Sequence, residues 1–261
     1  MTENNSLRQT FDEVALLYNE ARPCYPDELF SALIDVTGIH KGSKLLEIGP
    51  GTGQATKPFA KKGFDITAVE LGVALAEVAK YELRDYKNVQ ISTGAFEEIA
   101  LPEKTFDLVF AATSFHWIDP SIKYLETHNV LNDNGHLAII HTNHISDEKG
   151  DDFFNVSQPI YDRYNFTDKH QKPELPKNKD LKANDIDENL FRLIHFQYFP
   201  VIITYSAKKF VQLLNTYSNH LAATKDIQHA FFKEIENLIN DAFQGKIDKH
   251  FSMSLTIAKK I

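Results

Sequence analysis

The sequence predicts an α/β fold, in which seven strands form a mostly parallel sheet with helices on both faces. A short apolar run, residues 44–48, leads directly into a glycine-rich turn at residues 49–53. A second apolar run ends on a single carboxylate, Glu70. Apolar runs then alternate with amphipathic stretches through the first half of the chain, which is typical of parallel strands connected by helices.

The first half of the chain predicts five strands with helices between them. Pro26 begins an amphipathic helix that Gly38 ends, because proline suits the first turn and glycine suits the residue after the last. The fifth strand follows a turn at residues 132–135. In chain order we predict strands at 43–48, 65–70, 89–93, 106–111 and 136–141, and further helices at 52–62, with Pro58 near its start, and at 73–84.

The second half of the chain breaks this alternation. Residues 142–194 are rich in Asp, Asn, Lys and Pro, with aromatic residues spaced among them. A structureless loop of that length is uncommon in a compact domain, so we predict a small helical cap there. The rest of the chain predicts a strand at 198–205, helices that start after Ser206 and near Lys225, and a closing strand at 251–258.

Composition and charge argue against several classes of function. The 261 residues carry a net charge of -8 and a pI near 5.8, which argues against a nucleic-acid partner. Cys24 is the only cysteine, so the sequence allows neither an internal disulfide nor a multi-cysteine metal site. Residues 1–9 are polar and no run of 18 apolar residues occurs, so we expect a cytoplasmic protein without a membrane partner.

The glycine turn indicates the kind of ligand. Its glycines lie at 49, 51 and 53, so the pattern is G-x-G-x-G and differs from the G-x-G-x-x-G of dinucleotide sites. Glu47 lies just before the turn, where a carboxylate suits a cation better than a phosphate. Glu70 follows at the spacing at which an acidic strand end reaches a ribose. S-adenosylmethionine carries an ammonium, a sulfonium and a ribose, and no phosphate, so it fits this pattern.

This constellation resembles the class I S-adenosylmethionine-dependent methyltransferases. The resemblance implies a Rossmann-like sheet whose last strand inserts antiparallel between the fifth and sixth. The run Phe115-His116-Trp117 is similar to that of a subgroup of small-molecule methyltransferases that includes trans-aconitate methyltransferase. We expect a single domain over residues 1–261, with a helical lid at 1–38, a cofactor-binding core at 39–141, a substrate cap at 142–195 and the end of the sheet at 196–261.

The resemblance also implies which residues contact S-adenosylmethionine. The segment after strand three flanks the adenine, whose amine is met by the backbone of Ala95 or by Glu97. Phe96 is predicted either to contact the adenine or to pack in the core. The predicted cofactor site comprises Tyr18, Arg22, Glu47, Gly49, Gly51, Gly53, Glu70, Leu71, Ala95, Phe96, Thr113, His116 and Trp117.

Several of these residues have two open interpretations. Arg22 either pairs with the carboxylate of the cofactor or is a surface charge. Tyr18 and Tyr25 either close over the site or pack without a function. Trp117 either stabilises the sulfonium by a cation–π contact or packs its loop against the sheet. His116 acts as a general base, hydrogen-bonds the cofactor or closes its pocket.

The predicted reaction is in-line methyl transfer from S-adenosylmethionine to a small-molecule acceptor. A carboxylate acceptor, or another oxygen nucleophile that is already ionised, needs no base, whereas a phenol, amine or carbon acid needs one. His141 and His144 lack a third ligand at a recognisable spacing, so no metal site is predicted. The alternatives are a nucleic-acid (tRNA) methyltransferase, a nicotinamide-dependent reductase and a non-catalytic cofactor-binding protein. We expect a monomer or a homodimer.

Overall fold

A computed structural model describes residues 14–167 and 174–261. The start of the predicted lid, residues 1–13, and residues 168–173 of the predicted cap lie outside the described residues. The helices are α1 (Ala15–Ala21), α2 (Asp27–Thr37), α3 (Thr56–Lys62), α4 (Val73–Glu82), α5 (Lys123–Val130), α6 (Asp152–Arg163), α7 (Ala207–Leu214), α8 (Ser218–Leu221) and α9 (Lys225–Ala242). The strands are β1 (Lys44–Ile48), β2 (Asp65–Glu70), β3 (Val89–Thr93), β4 (Phe106–Ala112), β5 (Leu131–His144), β6 (Phe191–Ser206) and β7 (Lys246–Lys260).

The seven strands form one sheet in the order β3-β2-β1-β4-β5-β7-β6. The pairs β2–β3, β1–β2, β1–β4 and β4–β5 are parallel. Lys260 donates to the carbonyl of Leu131 at the start of β5, whereas Ile145, just after β5, donates to the carbonyl of His250. β7 therefore runs antiparallel to β5. The predicted seven-stranded, mostly parallel sheet with an inserted last strand is confirmed.

Both faces of the sheet are covered by apolar side chains, as expected for parallel strands flanked by helices. Along β1, Leu46 and Ile48 belong to one core cluster, which also contains Val69 of β2 and residues of β4 and β5. A second cluster contains Phe59 of α3, whose ring contacts Phe30 of α2 and Phe110 of β4. Because β1, β2, β3 and β4 are parallel, their carboxyl ends lie at one edge of the sheet.

Several elements differ in extent from the prediction. Helix α3 begins at Thr56 and not at residue 52, because residues 51–55 form a turn. Pro58 therefore lies in the first helical turn, where its missing N–H is tolerated. The predicted turn at 132–135 lies within β5, where the pairing shifts from Phe106–Leu131 to Leu108–His136. The turn-forming residues thus bulge out of the strand without ending it.

The last two strands are longer than predicted. β6 starts at Phe191 and lies at the edge of the sheet. It exposes apolar side chains, including Leu193 and Ile202, as well as polar ones, so its sequence lacks the alternation that marks a half-buried strand. Pro200 within it is tolerated because the strand lies at the edge. β7 starts at Lys246, and its early charged residue Lys249 is buried against Asp151.

The chain forms two compact units. Unit 1 comprises Met1–Pro23, Asn143–Leu181 and Pro200–Ser252, and its described helices are α1, α6, α7, α8 and α9. Unit 2 comprises Cys24–Thr142, Lys182–Phe199 and Met253–Ile261, and contains the glycine turn. Across the described ranges, no helix combines the length and the apolar character needed to cross a membrane.

Candidate cofactor site

The turn after β1 requires glycine at two positions. Gly49 has φ of +68°, and a Cβ there would lie 2.6 Å from the Cβ of Ser114. Gly53 has φ of +89°, and a Cβ there would lie 2.8 Å from the Cδ1 of Leu83. Gly51 also has a positive φ, +58°. Because positive φ is costly for residues with a side chain, the G-x-G-x-G pattern is explained by the backbone itself.

Glu70 ends β2 and contacts the glycine turn directly. Its Oε2 accepts a hydrogen bond from the N–H of Gly51 at 2.8 Å, and its Oε1 accepts one from the N–H of Gly72 at 2.9 Å. The side chain is only 6% exposed. A carboxylate has about four lone-pair sites, so one carboxylate can accept from backbone donors and from a ligand together.

Glu47 lies on β1 and is fully buried. Its Oε2 accepts a hydrogen bond from the hydroxyl of Thr56 at 2.6 Å. The pKa of Glu47 is raised to about 8, mainly because the carboxyl is buried. The Thr56 hydrogen bond lowers this pKa and the nearby Glu70 raises it, and both effects are smaller than that of burial. Glu47 is therefore largely protonated at neutral pH in this structure, and a neighbouring cation would favour its ionised form.

Three buried polar atoms at this turn have no hydrogen-bond partner among the described residues. They are Oε1 of Glu47, Oγ1 of Thr52 and Nε2 of Gln54. Buried polar atoms are normally paired, so such a cluster indicates a missing ligand. Two of them can donate to a ligand carboxylate and one can accept from a ligand ammonium. With Glu70 as acceptor for ribose hydroxyls, these residues fit S-adenosylmethionine.

Thr52 and Gln54 were not among the predicted site residues. The G-x-G-x-G pattern specifies only the glycines, whereas Thr52 lies between two of them and Gln54 follows the last. Their polar side chains within a glycine turn were a usable signal, because a turn that binds no ligand has no need of buried polar atoms there.

The segment after β3 lies beside Glu70, since the N–H of Gly94 donates to the carbonyl of Glu70 at 2.8 Å. Phe96 is 5% exposed and packs in the core cluster with Leu46 and Val69. This placement favours the core interpretation of Phe96, and its contact with adenine stays a prediction. Ala95 and the Leu71 that follows Glu70 are both half-buried.

Glu97, the other predicted partner of the adenine amine, contacts the segment after β4. Its Oε1 accepts a hydrogen bond from the N–H of Asp119 at 3.2 Å. The acidic side chain therefore connects the two segments that follow β3 and β4.

The end of β4 has an unusual backbone at Thr113, whose φ is +59°. Positive φ in a β-branched residue is strained and clusters at functional sites. The Thr113 hydroxyl lies 3.2 Å from the hydroxyl of Tyr25 and 3.5 Å from that of Thr142. The next residue, Ser114, donates to the carbonyl of Ile48 and fixes the end of β4 to the end of β1.

His116 lies in a 3₁₀ turn, Phe115–Trp117, directly after β4. Its ring centroid is 4.8 Å from that of Trp117, and it stacks on His141 at 5.5 Å. Desolvation lowers the pKa of His116, and His141 and Lys123 lower it further. Desolvation also lowers the pKa of His141. The His116 ring is partly exposed, but desolvation and the neighbouring charges all lower its pKa. Since the pKa values of His116 and His141 both lie below the ordinary value of 6.5, the two histidines are neutral at pH 7.

Tyr18 and Arg22 belong to unit 1, and Arg22 contacts other residues of that unit. The Arg22 guanidinium lies between the rings of Tyr18 and Tyr217, at 4.9 and 4.6 Å from their centroids. Its Nε donates to the hydroxyl of Thr216 at 2.9 Å, and its Nη2 donates to the Thr216 carbonyl at 2.7 Å. Arg22 is thus held within unit 1, and its pairing with a cofactor carboxylate stays a prediction.

His144 and His141 contact different residues. Its Nε2 lies 3.1 Å from the hydroxyl of Tyr217 in unit 1, whereas His141 stacks on His116 in unit 2. Over residues 14–167 and 174–261, no group of three histidine, cysteine or acidic side chains is arranged to hold a metal ion.

Comparison with known proteins gives one family. Residues 46–139 match the family model described as a methyltransferase domain. An uncharacterised methyltransferase of Schizosaccharomyces pombe is 32% identical over 133 residues, which is 51% of this chain and 52% of that protein. A ubiquinone/menaquinone biosynthesis C-methyltransferase of Psychromonas ingrahamii is 28% identical over 159 residues, 58% of each chain. The chain thus spans about half the length of the curated relatives it matches.

A solved structure shares the fold of this chain. A solved structure of a proposed type II methyltransferase from Anaeromyxobacter dehalogenans superposes with a TM-score of 0.63 and 21% identity, over 91% of this chain and 97% of that one. At this identity the likeness concerns the fold alone. The predicted resemblance to the class I S-adenosylmethionine-dependent methyltransferases is confirmed. Membership of the trans-aconitate methyltransferase subgroup stays a prediction.

Proposed function

We propose that this chain, a class I S-adenosylmethionine-dependent methyltransferase through the domain at residues 46–139, transfers a methyl group to a small-molecule acceptor. The observation that carries the proposal is the set of unpaired buried atoms of Glu47, Thr52 and Gln54 around the glycine turn. Acceptors and donors occur there together, which suits a zwitterionic amino-acid group. A dinucleotide pyrophosphate has no ammonium group to pair with the buried Oε1 of Glu47.

The cofactor supplies a methyl group that its sulfonium already activates, so the acceptor needs mainly alignment for in-line attack. In this proposal Glu70 accepts from the ribose hydroxyls while it holds Gly51. Glu47 loses its proton and becomes the partner of the ammonium. Thr52 and Gln54 donate to the carboxylate. Each of these residues is fixed by a strand end or by the glycine turn, so the site is preorganised before binding.

His116 bears on the nature of the acceptor. A histidine whose pKa is lowered is unprotonated at neutral pH, but it is a weaker base than free imidazole. A weak base supports an acceptor from which no proton has to be removed. We therefore favour a carboxylate or another ionised oxygen nucleophile, with His116 orienting the acceptor or the cofactor.

Calorimetric titration tests the cofactor assignment. We expect S-adenosylhomocysteine to bind and NAD to give no heat of binding. Glu70→Gln should weaken S-adenosylhomocysteine, while Glu77→Gln, which alters an exposed carboxylate on α4, should not. Binding of NAD without any response to S-adenosylhomocysteine would overturn the proposal.

Transfer of labelled methyl from S-adenosylmethionine tests the reaction. A cell extract divided into small-molecule, tRNA and protein fractions provides the acceptors. We expect the label in the small-molecule fraction, because a net charge of -8 disfavours a polyanionic partner. Label in tRNA would identify the nucleic-acid alternative. Cofactor binding with no transfer to any fraction would identify a non-catalytic binding protein.

A further inference from the structure

Unit 1 contains a cavity of about 380 Å³. Its wall is mainly aromatic and includes Phe153 and Tyr161 of α6, Phe166, Phe210 of α7 and Tyr217. Known small-molecule sites have volumes of about 300–1,000 Å³ and are mostly apolar, with a few polar groups that fix orientation. The cavity is at the small end of that range, so it suits a molecule of one or two rings.

One buried polar atom of the described wall residues has no hydrogen-bond partner. His220 lines the cavity and is only 2% exposed. Its Nδ1 lies 2.8 Å from the carbonyl of Leu214, and since a carbonyl only accepts, Nδ1 carries the proton. Nε2 is then a bare acceptor, and it has no hydrogen-bond partner among the residues that the structure describes. Burial lowers the pKa of His220 to about 4, so the ring is neutral at pH 7 and Nε2 carries no proton.

The charged side chain of the wall, Lys249, is paired within unit 1. The ammonium of Lys249 donates to the carboxylate of Asp151 at 2.6 Å, and both side chains are less than a tenth exposed. The Tyr217 hydroxyl lies 3.1 Å from Nε2 of His144, and burial lowers the pKa of that histidine, so it is neutral. A charged ligand would therefore find no unpaired opposite charge among the described wall residues, and burying it would be costly.

We infer that this cavity is a binding site for a small, uncharged aromatic molecule with a hydroxyl group, whose O–H donates a hydrogen bond to Nε2 of His220. The aromatic wall provides the apolar contacts, and the orphan acceptor selects the hydroxyl. The inference concerns unit 1 by itself, goes beyond the proposed function and does not depend on it.

Calorimetric titration of the full chain with three probes tests the inference. The probes are 2-naphthol, 2-methoxynaphthalene, which lacks the donor, and 2-naphthoate, which is anionic. We expect 2-naphthol to bind about tenfold more tightly than either of the others, because only it satisfies the buried acceptor. Equal affinities for 2-naphthol and 2-methoxynaphthalene, tighter binding of 2-naphthoate, or no binding of any probe would overturn the inference.

A matched pair of variants locates the selectivity. In His220→Asn the amide can still donate to the Leu214 carbonyl, but the acceptor at Nε2 is gone. The tenfold preference should fall to about one, while His229→Asn, an exposed histidine of α9, should retain it. S-adenosylhomocysteine should bind both variants as it binds the parent, so failure of this inference is distinguishable from failure of the proposed function.

If His220→Asn does not fold, the parent protein still decides the matter. The ¹⁵N resonance of His220 Nε2 should shift on addition of 2-naphthol, from that of a free imidazole acceptor towards that of a hydrogen-bonded one. A resonance that stays unchanged at saturating 2-naphthol would contradict the contact.

Discussion

The carboxylate of Glu70 accepts a hydrogen bond from the backbone N–H of Gly51, at 2.8 Å, across the ends of two neighbouring strands. The side chain predicted to bind a ribose therefore also shapes the turn that approaches the ligand. Its second oxygen accepts from Gly72, so two backbone donors depend on one side chain. Ligand binding and local stability are consequently coupled at Glu70.

This coupling predicts two losses in Glu70→Ala. The dissociation constant of S-adenosylhomocysteine should rise by the equivalent of about 1.5–3 kcal/mol, the usual worth of a hydrogen bond to a charged group. The free energy of unfolding should fall by about 1–3 kcal/mol, because two N–H groups lose their acceptor. Calorimetry and urea denaturation measure the two effects, with Glu77→Ala as the control. An unchanged dissociation constant would leave Glu70 with only its structural role.

Glu47→Gln should stabilise the ligand-free protein, and increasingly so at higher pH. The folded-state pKa of Glu47 is raised from 4.5 to about 8. Its contribution to stability is fully present below about pH 4.5 and is lost as the pH rises through about 8, since unfolding releases its proton in that window. The neutral amide of glutamine carries no such penalty.

Urea denaturation at several pH values measures this difference. We expect the free energy of unfolding of Glu47→Gln, relative to the parent, to rise between pH 5 and pH 8, by at most about 1.4 kcal/mol per unit. The exposed variant Glu77→Gln should show no comparable slope. A flat difference for Glu47→Gln would mean that Glu47 is already ionised in the free protein.

Binding of S-adenosylmethionine should release a proton from Glu47. The free carboxyl is largely protonated at pH 7, and a cationic partner lowers its pKa. Affinity should therefore increase as the pH rises from 6 towards 8. Calorimetry at pH 7 in buffers of different ionisation enthalpy measures the released protons directly. We expect close to one proton for the parent and none for Glu47→Gln, and equal values for both would place the ammonium elsewhere.

The fold was predictable because the determinants of its elements are local. β2 and β3 have the predicted bounds, Asp65–Glu70 and Val89–Thr93, since apolar runs and their flanking breakers lie within a few residues of each other. The extent of β6 was not predictable, because an edge strand is defined by its partner and β6 exposes apolar as well as polar side chains. The grouping of the helices of unit 1 from separate segments of the chain also depends on contacts that periodicity does not report.

The site was predictable to the degree that backbone geometry dictates residue type. Gly49 and Gly53 are required by positive φ and close neighbours, so their spacing carries information in the sequence. Thr52 was missed because a threonine has many roles, and the missing partner of its hydroxyl is visible in the folded chain. The contacts of Arg22 were not predictable, because its partner Thr216 lies 194 residues further along the chain.

Arg22→Lys should destabilise unit 1. Lysine cannot donate to both the hydroxyl and the carbonyl of Thr216 in the fixed geometry of a guanidinium, and it stacks poorly between two rings. We expect a loss of about 1–2 kcal/mol in the free energy of unfolding. Arg84→Lys is a suitable control, because Arg84 also stacks on a tyrosine but is exposed. Weaker S-adenosylhomocysteine binding at unchanged stability would instead favour the cofactor-carboxylate interpretation of Arg22.

Gly49→Ala should cost more stability than the same change at Gly38, although both residues have φ of +68°. At Gly38 nothing lies within 4 Å of the added Cβ, so only the backbone preference is lost, about 1–2 kcal/mol. At Gly49 the new Cβ would also meet Ser114 at 2.6 Å, and the turn must move.

The free energies of unfolding of the two variants and their affinities for S-adenosylhomocysteine measure the difference. We expect Gly49→Ala to abolish binding and Gly38→Ala to retain it. Adding Ser114→Gly to Gly49→Ala should recover part of the stability, because it removes the contacted side chain. If the two single variants were equally stable and both bound the ligand, the close approach of β1 and β4 at this turn would not limit the site.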